Sequence, residues 1–268
     1  MEIKATLSII FCVTLGFSAG AQMPVMSGSE PGVMLASISL SPAIIMVRGT
    51  YSQSTTQVLT ITNHTANQVD FNLVTEDVVV REGKRFYLPA GHVANGIAAN
   101  TVMLPAVVVL KAGEEASVQV TLTIPPGTGQ RAVVTYFRGA VSTGNGAVGL
   151  SASLGTLITF NVSNDYRLEI GPVQASVQTP AANLILSEEV RNSGSEPVTP
   201  KGVLVILNAA GKRVAKAAFS PERMLPGEQL IFSATNPVQL APGDYHTLSS
   251  LEFEGKVTTS AGQFTIPE

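Results

Sequence analysis

Two β-runs joined by a glycine-rich turn, Arg131-Ala-Val-Val-Thr-Tyr-Phe-Arg138 and Leu150-Ser-Ala-Ser-Leu-Gly-Thr-Leu-Ile-Thr-Phe-Asn-Val162, decide the fold. In the second run apolar residues return at every second position: Leu150, Ala152 and Leu154, then Ile158 and Phe160. That period belongs to a strand with one buried face. Between the runs, Gly144-Asn-Gly146 supplies residues that adopt positive φ cheaply, as a hairpin connection requires. The hairpin carries no residue pattern suited to catalysis. Gly144-Asn-Gly-Ala-Val-Gly149 is followed by a strand and not by a helix, so it is a turn and not a phosphate loop.

Outward from the hairpin the same chemistry repeats. Before it, Thr56–Thr62 alternates with Leu59 and Ile61 inward, an Asn-rich turn follows at 63–67, and Val69–Val74 returns with Val69, Phe71 and Leu73 inward. A second hairpin spans Asp77–Leu88, with Val78–Arg81 and Arg85–Leu88 as its strands around Glu82-Gly-Lys84. Thr101–Leu104 and Val107–Leu110 are short edge strands broken by Pro105. Ala116–Ile124 alternates with Val118, Val120, Leu122 and Ile124 inward. Seven to nine short strands with regular turn signals spell an immunoglobulin-like sandwich. After Asn164-Asp165 a second set runs to the end of the chain: strands at 173–177, 183–190, 201–207, 213–218, 229–234, 245–253 and 263–266. No stretch has a helical period.

The two halves echo each other. Thr60-Ile-Thr-Asn63 matches Glu189-Val-Arg-Asn192, and Lys111-Ala-Gly-Glu114 matches Leu225-Pro-Gly-Glu228. Shared turn chemistry of any two sandwiches accounts for part of this. The expectation is all-β: two immunoglobulin-like β-sandwich domains in tandem, at 37–163 and 167–268, after a cleaved signal peptide.

The signal peptide is residues 1–21, with Lys4 in the n-region, an apolar run from Ala5 to Phe17 and an Ala19-Gly-Ala21 cleavage site. The apolar run is too short for a membrane span. Residues 22–36 form a flexible leader rich in Met, Gly, Ser and Pro. The one cysteine, Cys12, falls inside the signal peptide, so the mature chain has no disulfide. These features imply an exported protein, periplasmic or at the cell surface, without a membrane span in its mature form. A charged fraction of 13% and a net charge of −3 give no reason to expect a nucleic-acid partner.

At the central hairpin the chain resembles the periplasmic pilus-assembly chaperones, the PapD-like family. The residues that carry the resemblance are Arg131 followed by Tyr136-Phe137, the alternation Leu150-x-Ala152-x-Leu154, the Leu110–Glu114 turn and the Thr60–Asn63 strand end. It implies two immunoglobulin-like domains without catalytic activity. It also implies that the last strand of the first domain is lent to an unfinished subunit, with backbone pairing and alternate side chains filling pockets. On that basis Leu150, Ala152, Leu154 and Ile158 are the partner-strand binding residues. In the family a first-strand arginine and a seventh-strand lysine clamp a terminal carboxylate. Here Arg48 lies near the first position, and Leu157 and Thr159 occupy the lysine positions.

Arg48 and Arg131 are the candidates for anchoring an anionic group. The alternative role, for these and Arg138, is as edge and rim arginines that guard against aggregation. Alternation puts Arg131 and Arg138 on opposite faces. His64, His92 and His246 are scattered without metal-ligand spacing. Glu188-Glu189 and Glu114-Glu115 point to opposite strand faces and make poor acid/base pairs, and Asp165 is read as a solvated turn charge. No catalytic residue, metal site or cofactor is expected. The leading function is a chaperone-like protein that captures an extended segment of a secreted or surface β-rich protein, a pilin-like subunit among the candidates, by β-strand addition. The alternative is a non-catalytic structural or adhesive module of a surface assembly.

Overall fold

The structure is a computed structural model and describes residues 37–142, 148–176, 184–236 and 238–267. The signal peptide 1–21, the leader 22–36 and the Gly144-Asn-Gly146 turn lie outside the described residues. The described chain is almost all strand, with one 3-10 turn at Ala98–Asn100. It forms two units: one contains the described residues up to Asp77 together with Leu88–Thr159, the other Val78–Tyr87 together with Phe160 onward. The units therefore do not follow a single cut of the chain. The hairpin tip 78–87 groups with the later residues, and the other divide falls between Thr159 and Phe160, inside the strand Val148–Asn161.

The strands as far as Asn161 are β1 (Ile38–Ser41), β2 (Ile44–Arg48), β3 (Ser54–Asn63), β4 (Val69–Arg81), β5 (Lys84–Pro89), β6 (Thr101–Leu104), β7 (Val107–Leu110), β8 (Glu115–Thr123), β9 (Ala132–Ser142) and β10 (Val148–Asn161); they build the first unit, apart from the β4–β5 tip at 78–87 and the last two residues of β10, which belong to the second. One sheet has the order β1-β3-β8-β6. The other has the order β2-β10-β9-β4-β5, with β7 also on β4. Strands β1 and β2 pass from one sheet to the other across a cis Ser41–Pro42 bond, and β6 and β7 do the same across a cis Leu104–Pro105 bond. The pair that Pro105 breaks in the sequence thus changes sheets, and β1–β2 around Pro42 does the same.

The inward sets expected from alternation are buried: Leu59 and Ile61; Val69, Phe71 and Leu73; Val118, Val120, Leu122 and Ile124. Phe71 and Phe137 meet edge to face with ring centroids 6.4 Å apart. Gly139 permits this, because a Cβ there would sit 2.6 Å from the Phe71 ring. One expectation changes: Val69–Val74 and Val78–Arg81 are one unbroken strand, β4. Its middle, Thr75–Asp77, is held by β9 through Thr135–Val133. Of these polar residues Thr75 and Asp77 point inward and are buried, while Glu76 pairs with Arg138 on the outer face.

The second unit adds β11 (Leu168–Ile170), β12 (Gln174–Ser176), β13 (Ile185–Asn192), β14 (Lys201–Asn208), β15 (Arg213–Phe219), β16 (Gln229–Thr235), β17 (Gly243–Phe253) and β18 (Lys256–Ile266). β11 and β12 share one edge of β13 and β16 takes the other, while the facing sheet runs β15-β14-β17-β18. β18 begins seven residues earlier than alternation in Gln263–Ile266 suggests, because its whole length pairs with β17. Its core includes Leu186, Val190, Leu204, Ile206, Phe219, Phe232 and Leu251.

The internal echo is a duplicated corner. In the first unit Asn63 is fully buried. Its side-chain amide donates to Asn67 O (2.7 Å), Leu110 O (3.1 Å) and Lys111 O (3.1 Å), and its Oδ1 accepts from Thr65 N (2.9 Å). In the second, Asn192 donates to Glu196 O (2.9 Å) and Met224 O (3.4 Å) and accepts from Gly194 N (3.0 Å). The backbone repeats too: Asn63 N to Glu114 O and Asn192 N to Glu228 O are both 2.9 Å, and Gly113 N to Asn63 O and Gly227 N to Asn192 O are both 2.8 Å. Each glutamate caps its own turn, Glu114 on Lys111 N and Glu228 on Leu225 N, at 2.8 Å. A buried asparagine that satisfies a turn's carbonyls is what an otherwise polar sandwich corner needs. In the second unit Arg85 also grips Glu228, Nε to Oε1 at 2.7 Å.

Candidate functional site: an open strand edge

β9 pairs β10 along nearly its full length, with Leu150 opposite Val141, Ala152 opposite Gly139, Leu154 opposite Phe137 and Ile158 opposite Val133. On the other side β10 is met by β2 only near its end. Leu157 N donates to Ala43 O (3.0 Å), Thr156 Oγ1 to Pro42 O (2.8 Å) and Thr159 Oγ1 to Ile45 O (3.3 Å). The constant offset of 114 residues in the last two contacts shows that β2 and β10 run parallel. β2 has no residue before Ile44, so Val148–Gly155 has no strand on that side among the described residues.

Strand geometry then says which groups face the open side. The Leu157 N–H points toward β2, so Ser151, Ser153 and Gly155, at even offsets from it, point their N–H and C=O the same way. Ala152 and Leu154 bond to β9 instead and turn their side chains to the inner face, on the rows Phe71–Gly139–Ala152 and Leu73–Phe137–Leu154. Both are half-buried, whereas Ile158 and Phe160, farther along the same face, are fully buried. The description of Leu150 extends to its backbone pairing only. On the outer face the Tyr136 ring lies across Gly155, where a Cβ would come within 2.9 Å of the ring. Arg138 stacks on Tyr136 at 4.8 Å and pairs with Glu76 at 2.5 Å. The stretch offers an uncharged backbone edge with half-covered apolar side chains, suited to accepting another strand.

The two candidate anion anchors lie in different settings. Arg131, at 8% exposure, donates to Thr128 O (3.2 Å), Gln130 O (2.9 Å) and Tyr51 Oη (3.2 Å), so its guanidinium ties the entry of β9 to the Tyr51 turn. Arg48 is exposed at the end of β2, on the face shared by Ile44 and Met46. Arg138 is exposed where Arg131 is buried, as alternation requires.

The residues weighed for chemistry are dispersed. His64, His92 and His246 are all exposed, and no group of metal-ligating side chains occurs among the described residues. Asp165 is half-buried and paired with Arg167, which lowers its pKa. Glu188 and Glu189 do face opposite ways, Glu189 outward and Glu188 into the core. Glu188 accepts from Ser249 Oγ (2.8 Å) and Ser260 Oγ (3.0 Å). Burial pushes its carboxyl above the usual carboxylate range, against the pull of the two serines.

The sign of the linkage follows. The folded state holds this proton more tightly than the unfolded one, so stability falls as pH rises from the ordinary value of 4.5 through the folded pKa. Glu188→Gln, neutral and of the same shape, is therefore expected to melt higher than the natural protein at pH 7.5 and to lose that advantage at pH 4. Thermal unfolding followed at both pH values checks it, and equal shifts at the two pH values would contradict it.

Sequence reasoning found the alternation of β10 but missed Ser151, Ser153 and Gly155, whose contribution is backbone. It also missed Pro42 and Ala43, which mark where the edge opens. The residue types of these five carry no signal for that role.

No family model matches the chain, and no curated protein matches it. Among solved structures, the class 5 fimbriae chaperone CfaA is 14% identical, with a TM-score of 0.45, covering 87% of this chain and 100% of its own. The CsuC–CsuE chaperone–tip adhesion subunit complex of Acinetobacter baumannii gives 10% identity, a TM-score of 0.42, and coverage of 85% and 98%. The CupB2 chaperone of Pseudomonas aeruginosa gives 10% identity, a TM-score of 0.40, and coverage of 83% and 97%.

Proposed function

We propose that this protein is a non-enzymatic, chaperone-like binding protein of the cell envelope. It captures an extended segment of a secreted or surface β-rich protein, of the pilin-like kind, by β-strand addition to β10. The observation that carries the proposal is the open half of β10. Ser151, Ser153 and Gly155 offer backbone donors and acceptors at the edge, and the half-buried Ala152 and Leu154 lie on the inner face beside it. Main-chain bonds supply affinity in this mode, and the alternate side chains supply selectivity. Ile158 roots the apolar set in the core at one end. Arg48, exposed at the end of β2, is the candidate to hold an anionic group of the client, and Arg131 ties the entry of β9 to the Tyr51 turn.

Ser153→Pro tests the mode directly. Proline removes the N–H that points to the open side and leaves the bonds of β10 to β9 intact, since Ser153 bonds on the other side. The mature protein and this variant are each used to capture partners from the organism's own envelope extract. A β-rich secreted protein held by the first and lost by the folded variant supports strand addition. Equal capture by both would overturn it. Release of the captured protein to an assembly separates a chaperone from a permanent structural module, which would keep it.

A further inference from the structure

We propose that Tyr136 selects the outer-face side chain of an added strand and favours an apolar one at the Gly155 end of the edge. This rests on the reading of β10 as a strand acceptor and extends it to the client's second face. Pairing sets Val74 on β4, Tyr136 on β9 and Gly155 on β10 in one outward row. Gly155 brings no side chain, and the Tyr136 ring fills the space over it. A Cβ at Gly155 would meet Val134 Cγ1 at 2.8 Å, and Cε1 and Cδ1 of the ring at 2.9 and 3.0 Å. The ring therefore stands over β10, one strand nearer the open edge than its own backbone. Glycine within a strand marks close approach by another group, and here the group is this ring.

The ring is held in that place. The Arg138 guanidinium lies 4.8 Å from its centroid and pairs with Glu76 at 2.5 Å. Arg138 stands in the row of Asn72 and Glu76 in that of Val134, on either side of Tyr136, so the ion pair bridges the ring's row. Glu76 answers the charge of Arg138, and Tyr136, half-buried, keeps part of its surface for a partner. A strand added along Ser151–Gly155 would set its Cβ atoms about 5 Å from the facing positions of β10 and about 7–8 Å from the diagonal ones. The ring is then in reach of the added side chain beside Gly155 directly and of the one beside Ser153 diagonally. The client strand is thereby described on both faces. It is apolar inward, over Ala152 and Leu154, and breaks its alternation with an apolar residue outward near Gly155.

Short synthetic peptides that alternate valine with threonine are the probe, with leucine replacing each threonine in turn. Each is titrated, by amide and methyl NMR, against the natural protein, Tyr136→Phe and Tyr136→Thr. Shifts at the Ser151 and Ser153 amides report binding at the edge. Slow hydrogen exchange at Ala152 and Leu154, bonded to β9, reports an intact strand in each variant. The expected result is that leucine at one position binds about fivefold tighter than threonine, with its methyls shifted upfield by the ring. Tyr136→Phe keeps this preference. Tyr136→Thr loses it, yet binds the leucine-free peptide as the natural protein does. A leucine preference that survives Tyr136→Thr, or that no position shows, would overturn the proposal and leave strand addition standing. So would a uniform loss for every peptide in Tyr136→Thr, which marks the ring as a support of the strand only. Edge amides that respond to no peptide would overturn both readings.

Discussion

Leu154→Glu is expected to abolish capture of a client strand, weakening binding by more than a hundredfold while the protein stays folded. Leu154 sits on the inner face opposite Phe137 and is half-buried in the absence of a partner. A strand added along Ser151–Gly155 would cover the rest of it. Completing the burial of a leucine contributes roughly 1–2 kcal/mol, part of the range for a whole side chain. Placing a carboxylate there adds a desolvation cost of several kcal/mol unless it is paired. With 1.4 kcal/mol per factor of ten, the sum exceeds about two decades. The fold should survive, because an edge position lets the glutamate turn toward water until a client arrives. Titration of the purified client against both proteins, with far-UV circular dichroism as the control for folding, reads the effect. A change below threefold would mean that the client does not lie along β10.

The second large effect is on stability. Asn63→Ala should cost the first unit at least about 3 kcal/mol, because it leaves the carbonyls of Asn67, Leu110 and Lys111 and the N–H of Thr65 short of partners. Asn192→Ala should do the same to the second unit through Glu196 O, Met224 O and Gly194 N. Each substitution is expected to lower one melting transition by on the order of 10 °C. Restoring size without donors, as Asn63→Asp, should not rescue, since its carboxylate would face three carbonyl oxygens. Calorimetry of the single variants checks this. A loss below 1 kcal/mol at either site would show that the turns hold themselves.

The inner faces of the strands were legible in the residues, because alternation follows from covalent geometry. Leu59 and Ile61, Phe71 and Leu73, and Val118 to Ile124 are inward wherever the strand finds its partner. The matching corners were legible for a similar reason. Asn63 with Glu114 and Asn192 with Glu228 are short-range turn chemistry repeated at two places in the chain. The continuity of β4 was not legible. Thr75 and Asp77 are polar, and only pairing with β9 carries the strand through them.

The candidate site divides along the same line. The period of Leu150, Ala152, Leu154 and Ile158 could be read from residue types, and it says which side chains share a face. Whether the edge beside them is open depends on where another strand stops, and β2 comes from more than a hundred residues earlier in the chain. Its first residue, Ile44, follows the Ala43 carbonyl that accepts from Leu157, and this leaves Ser151, Ser153 and Gly155 facing outward. The sequence by itself determined an all-β chain and the faces of its strands, because a two-residue repeat is a local property of the backbone. The open edge, the burial of Arg131 and the core placement of Glu188 were decided by tertiary structure alone, because each depends on which distant segment packs alongside.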